Sequence, residues 1–302
     1  MTDNPSGGGD DCVVPHLPRV RLGVVIRPQS PPEAFPDLFQ LADRSGIPEA
    51  WLWEDCFVEG GISSAATALA GTTQLTVGVG LLPVPLRNVA LTAMEIATLD
   101  RIHPGRLTIA VGHGVQEWME QVGARAKSPL TLMREYLIAL RALLAGESVT
   151  MDGEYVRLRD VQLGWPPATP PRILMGATGP GSLRLAGAFA DGVVIAEDTS
   201  PAALRDALHL VGDGRDRGDR TDAFETVVYL RAYRGSDAVS QLRRDARPAT
   251  GSYGIVLGEE SVRAAVNDLA EAGATTVALV PAGDDPSVAD YLVEVAGVLK
   301  NG

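Results

Sequence analysis

The stretch LTVGVGLLPVPLRNVALTAMEIATLDRIHPGRLTIAVGHG, residues 75–114, is one complete strand–helix–strand unit. LTVGVGLL (75–82) and RLTIAVG (106–112) are short runs rich in β-branched residues, the pattern of strands buried on both faces. Between them VALTAMEIATLDRI (89–102) spaces its apolar residues helically, with Gly105 just past its end as a stop signal.

The same alternation extends in both directions. Upstream lie the strand candidates LGVVI (22–26) and AWLWE (50–54); downstream lie RILMG (172–176), GVVIA (192–196), TVVYLRAY (226–233) and TTVALVP (275–281). Amphipathic stretches such as PEAFPDLFQLADRSG (32–46), SPLTLMREYLIALRALLAG (128–146) and EESVRAAVNDLAEAG (259–273) separate them. Eight strand–helix repeats in 302 residues predict an α/β fold, a single (β/α)8 TIM barrel. A doubly wound open sheet is the runner-up, because it is fed by the same alternation. Two departures predict insertions. VTMDGEYVRL (149–158) has an Asp-Gly turn between alternating flanks and reads as a hairpin. The stretch 235–254, with Gly235, Pro248, Gly251 and Gly254, reads as a long loop. Residues 1–18, rich in Gly, Pro, Asp and Ser, predict a disordered leader ahead of a barrel domain at 19–302.

With a net charge of −12, the chain repels nucleic acid and anionic membrane surfaces unless a local basic patch intervenes, and none is visible. No run approaches the roughly 20 apolar residues of a membrane helix, so a cytoplasmic protein is expected. Cys12 and Cys56 give neither a disulfide framework nor a metal-ligand spacing; two free thiols and no metal are expected.

Three places carry chemistry. GATGPGS (176–182) joins a strand to a helix, and its glycines, free amides and helix dipole predict a phosphate cup. A dinucleotide fingerprint competes there, with Glu197 or Asp198 as the ribose acid, although the glycine order is G-x-x-G-x-G. Glu54, Asp55 and Cys56 follow a strand, where barrel side chains reach the active-site mouth; one of the two acids is expected to cap a helix or form a salt bridge. His113 stands between Gly112 and Gly114 at a strand end, as a proton-moving imidazole or as a structural one.

WLWEDCF (51–57), the block from Leu75 to Trp118, GEYVRL (153–158) and PRILMGATGPGSLRLAGAFADGVVI (171–195), in that order, resemble the luciferase-like monooxygenase superfamily. The likeness runs over residues 20–298 and is strongest to the branch that uses coenzyme F420, a deazaflavin. It implies hydride transfer between F420 and a small organic substrate. The alternatives are an FMN-dependent monooxygenase, a protein that binds flavin without turnover, and a barrel enzyme acting on a phosphorylated metabolite.

The resemblance also implies residue roles. Asp55 lies beside the deazaflavin ring. A non-prolyl cis peptide at Gly80–Leu81, with Leu82, backs the ring, and His113 with Gly114 borders it. The backbone amides of Thr178, Gly179, Gly181 and Ser182 hold the phosphate, with Pro180 pre-setting the turn, and Arg87 and Arg184 are the cations nearest in sequence to the site for the acidic coenzyme tail. Trp53, Trp118 and Leu82 wall the substrate pocket. Cys56 stands where the similar dehydrogenases have a proton-donating histidine, and Val115 where the sugar-phosphate dehydrogenases have a glutamate. Both departures argue against a sugar-phosphate dehydrogenase and leave His113 as the acid/base, with Glu117 in reserve. A homodimer is expected from the likeness alone.

Overall fold

The computed structural model describes residues 20–246, 253–283 and 287–301. The chain runs β1 (Arg21–Ile26), α1 (Phe35–Arg44), β2 (Glu49–Leu52), α2 (Gly61–Gly71), β3 (Thr76–Pro83), α3 (Val89–Ile102) and β4 (Leu107–Gly112). It continues through α4 (Gln116–Gln121), α5 (Pro129–Leu144), β5 (Val149–Asp152), β6 (Arg157–Val161), β7 (Ile173–Gly176), α6 (Pro180–Phe189) and β8 (Gly192–Ile195). The last elements are α7 (Pro201–Arg217), β9 (Glu225–Tyr233), α8 (Ala238–Asp245), β10 (Gly254–Val256), α9 (Glu259–Glu271), β11 (Thr276–Ala282) and α10 (Val288–Asn301).

Strands β1, β2, β3, β4, β7, β8, β9 and β11 lie parallel in that order, and β11 pairs back onto β1. The sheet therefore closes into a (β/α)8 barrel, which removes the open doubly wound alternative and with it the setting of a dinucleotide fingerprint. All eight strands fall on the predicted runs.

Both insertions sit where the sequence marks them. β5 and β6 pair antiparallel across the Asp152-Gly153 turn, the second arm reaching Val161. Glu135 of α5 anchors this hairpin by accepting from the amides of Glu154, Tyr155 and Val156 at 3.1, 2.9 and 3.0 Å. Burial opposes ionisation there, but the three donors hold the carboxyl below its ordinary pKa. The 235–254 stretch is not a plain loop. Gly235 and Pro248 punctuate its ends, while the breaker-free run AVSQLRRD between them folds as α8. β10 then extends the sheet beside the end of β9. Residues 247–252 and the predicted leader at 1–18, with Cys12, lie outside the described residues.

Strand alternation sorts the core into two layers. Val25, Trp51, Ala110, Leu174, Val194, Val227, Tyr229, Ala278 and Val280 pack inside the barrel. Their neighbours in sequence, such as Val24, Ile26, Ala50, Leu52, Ile109 and Val111, pack outward against the helices. Inside, one large side chain is set against missing ones. Trp51 is fully buried, and a Cβ on Gly78 would lie 2.5 Å from its ring. Tyr229 donates from its hydroxyl to the carbonyl of Gly80 at 2.9 Å, where a Cβ would again overlap Tyr229. The N-terminal end of the barrel is closed by Arg21, which reaches Glu49 at 3.7 Å and Glu225 at 3.3 Å, and by Arg172, which reaches Glu225 at 3.3 Å. The opposite end stays open.

Gly78→Ala is expected to destabilise the protein by about 1–3 kcal/mol, because the added methyl meets a ring that cannot retreat. Combined with Trp51→Phe, it should cost less than the sum of the two single changes in urea unfolding. Strict additivity would show that the indole does not impose the glycine.

Candidate active site

The open mouth holds a cavity of about 550 Å³, within the range of small-molecule sites. Each wall comes from the end of a strand, as the barrel requires. β2 is followed by Trp53, Glu54 and Asp55; β3 contributes Gly80, Leu81 and Pro83; β4 is followed by His113, Gly114 and Val115, with Trp118 from α4. β7 supplies Gly176, followed by Ala177 and Thr178, with Ser182 from α6; Val194, Ala196, Glu197 and Tyr229 close the far side.

The floor is made by a break in β3. The Gly80–Leu81 peptide is cis, as the resemblance implies, and the pairing with β4 shifts register between Gly80 and Leu82. This turns Leu81 into the barrel mouth and sends Leu82 outward. Leu81 lies where a Cβ on Gly112 or Gly176 would be, so those two glycines leave room for a flat apolar shelf. Leu82 is completely buried in the layer between sheet and helices, not in the cavity wall where it was expected. Cys56–Phe57 is a second cis bond, which the sequence did not signal.

The two acids after β2 separate cleanly. Glu54 takes the structural role: it accepts from Gly61 N at 2.6 Å at the start of α2 and pairs with Arg87 at 2.6 Å. Arg87 also reaches Glu95 at 2.9 Å, so it is not a spare cation for a coenzyme tail. Nor is Arg184, which pairs with Asp213 at 3.2 Å. Asp55 remains facing the cavity. Burial raises its pKa; the Arg27 charge works against that shift and Glu197 adds to it. Cys56 is a free, half-buried thiol outside the cavity wall, and burial, then Glu54 and Asp55, push its pKa up.

His113 lines the cavity, and its Nδ1 is buried without a hydrogen-bond partner. Burial lowers its pKa, so the imidazole is neutral at neutral pH. Its loop is held by Gln116, whose Nε2 donates to the carbonyls of His113 and Gly114 at 3.3 Å each, and Gly114 turns with a φ of 66°. Trp53 Nε1 is a second buried polar atom without a partner on the same cavity. Glu117 points to solvent from α4 and is not part of the wall.

At the start of α6 the predicted cup is divided. Ser182 Oγ accepts from Gly179 N at 3.1 Å and donates to Gly179 O at 2.9 Å, so the Gly179 amide is committed to capping. Pro180 has no amide proton. The amides of Thr178, Gly181 and Ser182 make no hydrogen bond among the described residues and are left for an anion. Thr178 and Ser182 line the cavity, while Gly179, Pro180 and Gly181 are not among its lining residues.

Three features escaped the sequence reading. Tyr229 hides inside an apolar run, and only its inward register reveals it. Arg27 and Arg231 come from strands far apart in sequence and meet near Glu197 in a smaller pocket of about 150 Å³. Glu59, bonded by Ser64, is pushed to about 7 by burial and by Glu54 and Asp55, against the hydrogen bond from Ser64. Among the described residues no group of His, Cys, Asp and Glu is arranged to hold a metal ion, and no helix is long and apolar enough to cross a membrane.

Comparison with known proteins gives this geometry a family setting. The family model described as luciferase-like monooxygenase matches residues 18–293. A 5,10-methylenetetrahydromethanopterin reductase of Methanolobus tindarius is 32% identical over 200 residues, covering 66% of this chain and 60% of that protein. The reductase of the same name from Archaeoglobus fulgidus is 33% identical over 192 residues, covering 63% and 57%. The matched region thus spans less than two thirds of these relatives. A solved F420-dependent secondary alcohol dehydrogenase, in complex with an F420–acetone adduct, superposes with a TM-score of 0.82 at 19% identity, covering 92% of this chain and 98% of that one, which shows the shared fold.

The buried imidazole makes a pH prediction. With the folded pKa below the ordinary value of about 6.5, the unfolded chain takes up the proton first. Stability should therefore rise with pH through about 6.5 and fall as pH drops below it. NMR titration should place the His113 midpoint below that of an unstructured histidine, and His113→Gln should flatten this part of the stability profile. A midpoint at or above about 6.5 would contradict the burial argument.

Proposed function

The chain belongs to the luciferase-like monooxygenase family, and we propose that within it the protein is an F420-dependent oxidoreductase moving a hydride between the deazaflavin and a small organic substrate. One observation carries the reading: a flat shelf, unpartnered polar atoms and free helix amides converge on a single cavity, beside relatives named as methylenetetrahydromethanopterin reductases.

The residues present fit such a coenzyme. Leu81, backed by Gly112 and Gly176, offers an apolar face for a ring system. Trp53 Nε1 can donate to the ring's edge and His113 Nδ1 can accept, which would satisfy two buried atoms that otherwise lack partners. The amides of Thr178, Gly181 and Ser182, at the positive end of α6, suit a phosphate. When bound, the deazaflavin supplies the hydride chemistry. The protein's part is to hold substrate against the ring and to exclude water, with Trp53, Trp118 and Leu81 as apolar walls. His113, neutral and facing the site, can take a proton more readily than give one. The same reading includes a cytoplasmic protein and a homodimer; a second copy would cover the exposed apolar side chains Leu91, Met94 and Ile102 of α3.

Tryptophan fluorescence tests the reading, since Trp53 and Trp118 border the cavity. Oxidised F420 should quench it saturably. Gly179→Asp places a carboxylate at a capping position with room for a side chain, so the fold should persist while affinity for F420 falls about tenfold or more. Binding of FMN but not of the deazaflavin would make the protein an FMN enzyme. Unchanged affinity in the variant would move the phosphate elsewhere. Sedimentation at a monomer's mass would remove the dimer.

A further inference from the structure

We infer that a chain of carboxylates, the acidic tail of the coenzyme, leaves the main cavity at the start of α6 and lies in a basic groove between the α4–α5 turn and the β5–β6 hairpin, with Lys127, Arg125 and Arg157 as its cations, an inference that rests on the deazaflavin reading above. In the coenzyme a lactyl group and γ-linked glutamates follow the phosphate, so each further unit adds a carboxylate. A chain of net charge −12 repels such a polyanion wherever cations are not gathered. Arg87 and Arg184 are not available for it, being paired to Glu54 and Asp213.

The groove starts beside the cup. Leu130, in the first turn of α5, packs against the start of α6: its Cδ1 lies 3.0 Å from where a Cβ on Gly181 would stand. Just ahead of it, Lys127 and Pro129 line a recess of about 410 Å³ together with Arg125 and Gln116. Gln116 is the residue whose amide holds the His113 loop, so the recess backs onto a wall of the main cavity. Gly123, Arg125 and Ala126 are shared with a second recess of about 280 Å³, which continues to Tyr155 and Arg157 of the hairpin. The hairpin is tied to this path where Ser128 N donates to the Tyr155 hydroxyl at 2.7 Å.

Charge changes sign along the path. No lysine or arginine lines the main cavity, whereas Glu54, Asp55 and Glu197 do. The recess at the hairpin has Arg87, Arg125 and Arg157 in its wall and no carboxylate, and the recess at Lys127 has one, Glu120. Glu120 pairs with Arg125 at 2.7 Å, but both side chains are exposed, and such pairs exchange partners easily. Arg157 has Asp152 as its carboxylate partner at 3.9 Å, again with both side chains open to water. Lys127 has no ion pair among the described residues. Three exposed cations, none committed to a buried partner, thus follow one another away from the open amides of α6. A tail laid along them meets a cation as each carboxylate is added, so affinity should grow with tail length.

The test uses the full chain and two preparations, F420 bearing several glutamates and the same coenzyme ending at its lactyl group, each titrated by quenching of tryptophan fluorescence at low salt. Quenching by neither removes the coenzyme reading and this inference with it. When both quench, the coenzyme reading stands and the ratio of affinities decides the inference: the long-tailed form should bind about tenfold or more tightly. Lys127→Gln should lower that ratio about threefold, and Lys127→Glu combined with Arg157→Glu should bring it to about one. Both side chains are exposed, and a circular dichroism spectrum matching the parent's checks that the fold is kept. Lys300→Glu makes the same charge change near the end of α10, away from the mouth, and should keep the ratio. Equal affinity of the two forms for the parent, a ratio that survives the double variant, or one that Lys300→Glu lowers as much would overturn the inference.

Discussion

One indole organises the barrel. Trp51 fills the interior at the level where β3 offers only Gly78 and Gly80: the ring leaves Gly78 no room for a side chain, and at Gly80 the Tyr229 hydroxyl bars one with the ring close beside it. Tyr229 crosses from β9 to hold the Gly80 carbonyl. Large side chains on one part of the wall and glycines on the other keep the interior filled while β3 passes close to the centre. Above that layer Leu81 enters the mouth, again into space left by glycines, at Gly112 and Gly176. The shelf of the site is thus a continuation of core packing.

Charge around the mouth is arranged by the same economy of space. Buried acids that serve the fold are tied to partners: Glu54 to Arg87 and a helix amide, Glu135 to three hairpin amides. Two groups that face the cavity keep an unsatisfied valence. His113 Nδ1 and Trp53 Nε1 have no partner, and the first amides of α6 are open except where Ser182 caps Gly179. Since an unpaired buried polar group costs free energy, these two atoms on the cavity wall, beside the open amides of α6, suit a ligand that would partner them.

The alternation of strand and helix was legible in the sequence because it depends on local periodicity, and all eight strands and the hairpin follow it. The locations of Asp55, His113, Thr178 and Ser182 were legible too, since a barrel places residues that follow its strands at one mouth. What local pattern cannot show is which way a side chain turns after an irregularity. The register shift in β3 exchanged Leu81 for Leu82, and a capping serine withdrew the Gly179 amide from the cup. Pairings between residues distant in sequence leave no local signal: Glu54 reaches Arg87 only in the folded barrel, and Arg27 meets Arg231 in one pocket only there. Helix α8 was lost because glycine and proline at the two ends of a stretch concealed an unbroken run between them.

In the proposed complex the β3 shelf and the start of α6 hold the two ends of one coenzyme. A crystal structure of the protein with oxidised F420 tests this most directly. The ring should lie against Leu81, with a phosphate oxygen about 3 Å from the amides of Gly181 and Ser182. A ring bound away from Leu81, or a phosphate held by side chains elsewhere while those amides stay open, would contradict it.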